Sequence, residues 1–326
     1  MKNIGIISLG HYLPKHKLTN FDLEKMVDTT DEWIQTRTGI RERRVASHHE
    51  KTSDLAIKAA QEALTNAKLH PESIDLIIVA TISPDSNFPS MACVVQKALK
   101  ATKAVAFDIG AACSGFLFAV TTAKQFIQAG IYKNALVIAA EKITSLIDWT
   151  DRNTCVLFGD GAGACLLAPV SGRRGIISDY LHSQGELGGL MQVVVSDRRH
   201  PLTKTDMSAH LPYVVMQGKE LFKVAVHSMA KAVTMAAHKA HIKISDIDCV
   251  VPHQANDRII SAVAQKLNIP KEKIFVNIDK YGNMSAASIA VALYEAVEEG
   301  KIKRGSLVAL VAFGAGLVSG ANIVRW

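Results

Sequence analysis

No stretch of this 326-residue chain approaches the roughly 18 consecutive apolar residues of a membrane span. Its five cysteines, Cys93, Cys113, Cys155, Cys165 and Cys249, are odd in number and far apart, with no Cys-x-x-Cys pair and no histidine nearby at metal-ligand spacing. Neither a disulfide framework nor a metal site is indicated. The run Met1–His16 is broken by glycine and proline, and neither a long apolar core nor a small-residue cleavage site follows it, so a cytoplasmic protein is expected. No basic run is interleaved with aromatics and no nucleic-acid module is recognisable, so a nucleic-acid partner is not expected.

What is present is 48 % hydrophobic and 21 % charged, the balance of a well-packed globular protein with one large or two medium domains. The formal charge of +7 suits a nucleic acid, an acidic membrane, an acidic protein or a phosphate-bearing ligand alike, and it also suits a merely solvated surface. Charge alone does not choose among them.

Two segments resemble each other when overlaid: ALTNAKLHPESIDLIIVATIS from Ala63 and AAHKAHIKISDIDCVVPHQA from Ala236. Each reads as the end of an amphipathic helix, a polar turn, Ile-Asp, then an apolar strand. DIGAACSGFLFAV from Asp108 then matches DKYGNMSAASIAVAL from Asp279, and ALVIAAE from Ala135 matches SLVALVA from Ser306. Matches kept in order indicate a duplication. Each half reads as alternating strands and helices whose continuously apolar strands need cover on both faces, which predicts two packed α/β layers.

The polar, turn-rich Ser171–Gly175 places the seam near residue 172, giving halves of 1–172 and 173–326. Between Ser183 and Pro212 the pattern dissolves into glycines, a proline and clustered charges, as in a mobile flap or surface loop. From Lys219 the periodic Leu221, Phe222, Val224, Ala225, Met229 and Val233 predict a long helix.

Cys113 opens a helix that is apolar on nearly all sides, where unpaired N–H groups and the helix dipole favour the thiolate. By itself it also fits a structural cysteine. His253 stands at the end of the apolar strand of the second repeat, where a structural histidine is the plain alternative, and Asn283 lies at the start of the helix that matches the Cys113 helix, where an N-cap is. A pseudo-two-fold axis brings the matched helices together, so all three groups converge on one crevice. The glycines of Phe313–Gly316 add a turn whose N–H groups suit a developing oxyanion.

The motifs TTDEWIQTRTGIRERR at Thr29–Arg44, GAACSGF around Cys113, FGDGAGA at Phe158–Ala164, HQANDRI at His253–Ile259, YGNMSAAS around Asn283 and the later FGAG together resemble one family. That family is the thiolase-fold condensing enzymes, and within it β-ketoacyl-acyl carrier protein synthase III. The resemblance covers essentially the whole chain and implies an α/β thiolase-like fold of two related halves in an α/β/α/β/α layering. It further implies that Cys113 takes an acyl group from acyl-coenzyme A, after which malonyl-acyl carrier protein loses carbon dioxide and attacks the acyl carbonyl, initiating fatty acid synthesis. His253 and Asn283 would stabilise the enolate, and the backbone N–H groups of Cys113 and Ala315 the acyl oxyanion.

By the same resemblance Trp33 and Arg152 hold the adenine, while Arg37, Gly218 and Asn256 contact the nucleotide or pantetheine arm. Phe158 lines the acyl pocket. Phe88 reaches across a homodimer interface to floor the partner's pocket, and its bulk implies a short primer such as acetyl. Lys223, Arg258 and Lys266 form a basic patch for acyl carrier protein. No cofactor is implied, since acyl-coenzyme A is a substrate. Leu317–Gly320 lacks the bulky aromatic that the family often carries before its last glycine, which bears on the primer and not on the reaction.

A papain-like hydrolase also orders Cys, His and Asn along the chain, but the Ala-Ala-Cys-Ser-Gly-Phe context differs from its signature. Glycines 159, 161 and 163 hint at dinucleotide binding, yet a strand follows them with no acidic residue about 20 positions on, so a tight turn is expected. Asn283 in the third position favours decarboxylative condensation over the thiolase, HMG-coenzyme A synthase and ester-forming branches of the fold. A scaffold without catalysis would not need all three of Cys113, His253 and Asn283.

Overall fold

The computed structural model describes residues 3–193 and 213–326. Two sheets form its frame. The first has five strands in the order Asn3–Tyr12, Gly161–Val170, Ala135–Glu141, Leu76–Ala80 and Val105–Ile109. The second has four, Gly175–Ser183, Val318–Arg325, Leu307–Gly314 and Cys249–Pro252. Read from the seam outward, both carry antiparallel pairs first and parallel pairs last. The counterpart of the fifth strand is reduced to one parallel bridge, Val250 to Ile274.

Five layers result. Thr52–Ala67 and Met91–Leu99 pack outside the first sheet, and Gly218–Lys239 and Asp257–Lys266 outside the second. Between the sheets lie Gly115–Gln128 and Ala286–Glu298, whose residues Phe116, Leu117, Val120, Ile289, Val291 and Leu293 are wholly buried. Central strands touch helices on both faces, which is why Leu76–Ala80 and residues 135–140 read as unbroken apolar runs. The thiolase-like layering expected from the sequence is therefore present, and the matched repeats occupy equivalent places.

Gly218–Lys239 is the long helix expected after Lys219, with Ala225, Met229 and Val233 facing the core. Of the expected flap at 183–212, Gly185–Leu190 is a 3-10 turn and Met191–Val193 pairs with Val214–Met216; residues 194–212 lie outside the described residues. The FGDGAGA glycines are not all turn residues, contrary to expectation. Gly161 and Gly163 lie within the strand Gly161–Val170, where a Cβ would come within 2.5 Å of Met284 Sδ and of Ala290 Cβ respectively. Their role is to admit the central helix of the second half.

One buried cation ties this frame to the site. Arg43 is wholly buried and donates to Leu18 O at 3.1 Å, Asn20 Oδ1 at 2.9 Å and Val156 O at 2.7 Å. Loss of water pulls its pKa down to about 10, so it stays charged at neutral pH. Arg43→Met is expected to leave three acceptors unpaired and to cost at least about 3 kcal/mol, read from the urea midpoint at unchanged slope.

Candidate active site

Cys113 sits in the 3-10 turn Ala112–Ser114 that feeds the central helix Gly115–Gln128. Gly115 permits the approach there, since its Cβ would stand 3.1 Å from Ala80 Cβ and 3.4 Å from Ala286 Cβ. The N-termini of both central helices thus meet beside the end of Leu76–Ala80.

His253 continues the strand Cys249–Pro252 by donating its N–H to Val311 O at 2.7 Å. The following Gln254 locks the turn, donating to Pro252 O at 2.8 Å and accepting the Asn277 N–H at 3.0 Å. Asn283 is held by its backbone, donating to Leu157 O at 2.8 Å and accepting from Gly159 N at 3.0 Å. It does not cap the helix as the plain reading had it. The helix begins at Ala286 with Ser285 as its N-cap, and Asn283 Oδ1 accepts the Ser285 N–H at 2.8 Å. With that oxygen engaged, the amide Nδ2 is the donor Asn283 has for the cavity.

Cys113, His253 and Asn283 line one cavity of about 140 Å³, together with Phe158, Gly218 and Asn256. The first half supplies the thiol and the second half the two N–H donors. All three are buried, and the electrostatics follow from that. Burial pushes the Cys113 thiol up to about 12, against the pull of Ser285 and of its own backbone N–H. Burial also holds His253 down to about 3, so its imidazole is neutral, and its Nδ1 has no hydrogen-bond partner. The thiolate expected from the helix N-terminus is therefore not the resting form, because desolvation outweighs the dipole.

Gly314 presses against the cysteine turn, since a Cβ there would lie 2.7 Å from Cys113 N and 3.1 Å from Ser114 N. The turn expected at Phe313–Gly316 starts later than that, because Phe313 and Gly314 end the strand Leu307–Gly314 and only residues 315–317 turn, with the strand end at Gly314 set beside the backbone of Cys113.

Further out, Trp33 is half-buried, with the Arg152 guanidinium 5.2 Å and that of Arg37 5.9 Å from its ring centre. Arg152 also donates to Asp28 O at 2.7 Å. Asn256 caps Asp257–Lys266 and donates its amide to Arg37 O at 3.0 Å, joining two of the expected contacts. Lys223, Arg258 and Lys266 are exposed on the adjacent outer helices of the second half, and Arg258 lies 6.0 Å from the ring centre of Phe222, which lines the cavity. Phe88 is 85 % exposed, away from the cavity, and Phe158 is 2 % exposed within it. Among the described residues no group of three His, Cys, Asp or Glu is placed to hold a metal, and no helix is long and apolar enough to cross a membrane.

The sequence reading passed over Gly314 and Ser285. Gly314 and Ser285 act through backbone geometry, which residue type alone does not announce.

Profiles of the 3-oxoacyl-[acyl-carrier-protein] synthase III family match this chain at residues 107–185 and, for the C-terminal part, at 237–326. The β-ketoacyl-[acyl-carrier-protein] synthase III of Clostridioides difficile is 52 % identical over 99 % of this chain and 98 % of its own. That of Caldanaerobacter subterraneus is 49 % identical over 99 % and 97 %. The crystal structure of 3-oxoacyl-[acyl-carrier-protein] synthase III from Aquifex aeolicus superposes with a TM-score of 0.93 at 51 % identity, covering 99 % of this chain and all of that one.

Proposed function

Since the chain belongs to the 3-oxoacyl-[acyl-carrier-protein] synthase III family of condensing acyltransferases, which initiate fatty acid synthesis, we propose how its residues divide that reaction. Cys113 is the nucleophile. Its sulfur attacks the carbonyl of a short acyl-coenzyme A, acetyl in the simplest case, and coenzyme A leaves. Malonyl-acyl carrier protein then enters and loses carbon dioxide, and the carbanion so formed attacks the acyl-cysteine.

The observation that carries this reading is the meeting of Cys113, His253 and Asn283 in one cavity from two halves of the chain. His253, kept neutral, and Asn283 each offer an N–H to the thioester enolate without setting a negative charge against it. The N–H groups of Cys113 and Ala315 receive the acyl oxyanion, supported by the packing of Gly314 on the cysteine turn. No cofactor is called for beyond the substrates.

Trp33 and Arg152 take the adenine, with Arg37, Asn256 and Gly218 along the arm. Two stacking contacts need about 3.5 Å each, so a purine must part the 5.2 Å Trp33–Arg152 pair to enter between them. Trp33→Ala is expected to raise KM for acyl-coenzyme A about tenfold with kcat little changed, as loss of one stacking face implies. Steady-state kinetics check it. Lys223, Arg258 and Lys266 dock the acidic carrier protein, and that contact weakens with salt. Phe88, exposed as it is, meets a second copy in a homodimer, and the protein works in the cytoplasm.

Intact-mass spectrometry after incubation with acyl-coenzyme A thioesters, beside Cys113→Ala, tests the assignment. An adduct confined to the unmodified chain that disappears as β-ketoacyl-carrier product forms is expected. No adduct from any thioester would end it.

A further inference from the structure

Two N–H donors can serve one enolate oxygen only if the segments that carry them hold a fixed spacing. Here each segment is tied to a different half of the chain. The His253 N–H goes to Val311 O in the second half, whereas the Asn283 backbone pairs with Leu157 and Gly159 in the first. A chain of buried hydrogen bonds joins the two segments directly.

That chain starts at Gln254, which is 1 % exposed. Its amide donates to Phe275 O at 3.3 Å as well as to Pro252 O, and its oxygen accepts the Asn277 N–H. Asn277 opens the short helix Ile278–Tyr281 without capping it through its side chain. The Asn277 amide donates instead to Glu295 Oε2 at 2.9 Å, and its Oδ1 is left buried without a partner. An asparagine at that position ordinarily turns its oxygen to the first helical turn, so a cap is forgone and Glu295 is held. At the other end of the short helix the Tyr281 hydroxyl donates to Glu295 Oε1. One carboxylate thus grips the helix at its N-cap and at its last residue.

Gly282 is the single residue between Tyr281 and Asn283. It lies at φ 65°, and a Cβ on it would meet Leu157 O at 2.8 Å, so the link from Tyr281 to Asn283 is short and tightly packed. Glu295 stands on the central helix Ala286–Glu298, with its side chain 16 % exposed and Lys280 Nζ 3.7 Å away. It does not line the Cys113 cavity.

We propose that Glu295 is a positioning residue for condensation: through Asn277 and Gln254 on one side and Tyr281 on the other, it sets the Asn283 amide against the His253 imidazole. This rests on His253 and Asn283 being the enolate donors, as proposed above. Acylation makes no use of those donors and lies outside the reach of the clamp. The carboxylate supplies two acceptors and its charge is incidental. A glutamine at 295 can still accept from the Asn277 amide and donate to the Tyr281 oxygen, because a tyrosine hydroxyl serves as either donor or acceptor.

The test is single-turnover condensation from preformed acyl-enzyme, measured beside the rate of acylation by acetyl-coenzyme A and beside a thermal melt. Glu295→Leu keeps the bulk and removes both acceptors, and it is expected to slow condensation about tenfold with acylation unchanged. Glu295→Gln restores the normal rate. Tyr281→Phe, which removes one arm and leaves Glu295 in place, slows condensation about threefold and decides by the same split should Glu295→Leu fail to fold. Placed on Asn283→Asp, Glu295→Leu loses most of its effect, because the donor it positions is already gone. An equal fall in acylation and condensation, or a full tenfold effect kept on Asn283→Asp, would reduce Glu295 to a structural role. Normal condensation in Glu295→Leu beside a slow Asn283→Asp removes the clamp alone; normal condensation in Asn283→Asp removes the enolate assignment and the clamp with it.

Discussion

Asn283→Asp is expected to form the acyl adduct to completion yet to condense it about 10²- to 10³-fold more slowly. The substitution is nearly isosteric and keeps Oδ1, so the 2.8 Å bond from the Ser285 N–H and the start of Ala286–Glu298 survive. What changes is the other end of the side chain, where an N–H donor becomes a second oxygen. At 6 % exposure a carboxylate there meets the growing enolate with little water to screen it. The sign of the pH dependence follows. Protonation restores neutrality and a donor, so residual condensation should rise as pH falls. Single-turnover measurements from preformed acyl-enzyme decide it, and a variant that condenses at the normal rate would remove Asn283 from enolate stabilisation.

Gly314→Ala should damage both half-reactions. The added methyl would stand 2.7 Å from Cys113 N, 3.1 Å from Ser114 N and 3.2 Å from Ala112 Cβ, closer than atoms of a packed interior come. Relief requires the strand end at Gly314 with the turn at 315–317, or the Ala112–Ser114 turn, to move, and the two backbone N–H groups assigned to the acyl oxyanion belong to those turns. A displacement of this size costs about 10²-fold where geometry carries the rate. Acylation and condensation should fall together while thermal melting shows a folded protein. If both rates hold, the oxyanion is bound elsewhere.

The duplication could be read in the sequence because both copies kept the order of helix, turn and apolar strand, as in Ala63–Ser83 against Ala236–Ala255. Each His, Cys and Asn of the site was legible through its placement at the end of such an element. Less legible was anything fixed by close approach. Gly161 and Gly163 looked like turn residues because nothing in FGDGAGA tells of Met284 and Ala290 pressing from another element. The helix start was misplaced for the same reason: Ser285 caps it at positive φ, a conformation that serine does not advertise. The protonation state of Cys113 was misjudged because a helix N-terminus is visible in sequence and the depth of burial is not.

The burial of that thiol bears on how the protein meets electrophiles and oxidants. Both attack the thiolate, and Cys113 at about 12 offers almost none of it at rest, whereas Cys93 is exposed. Generic alkylating agents and peroxide should therefore label the surface before the cavity, so chemical modification and loss of activity need not run in parallel. An inhibitor aimed at Cys113 gains little from intrinsic reactivity. It has to present a carbonyl to the waiting N–H groups and let the pocket release the sulfur.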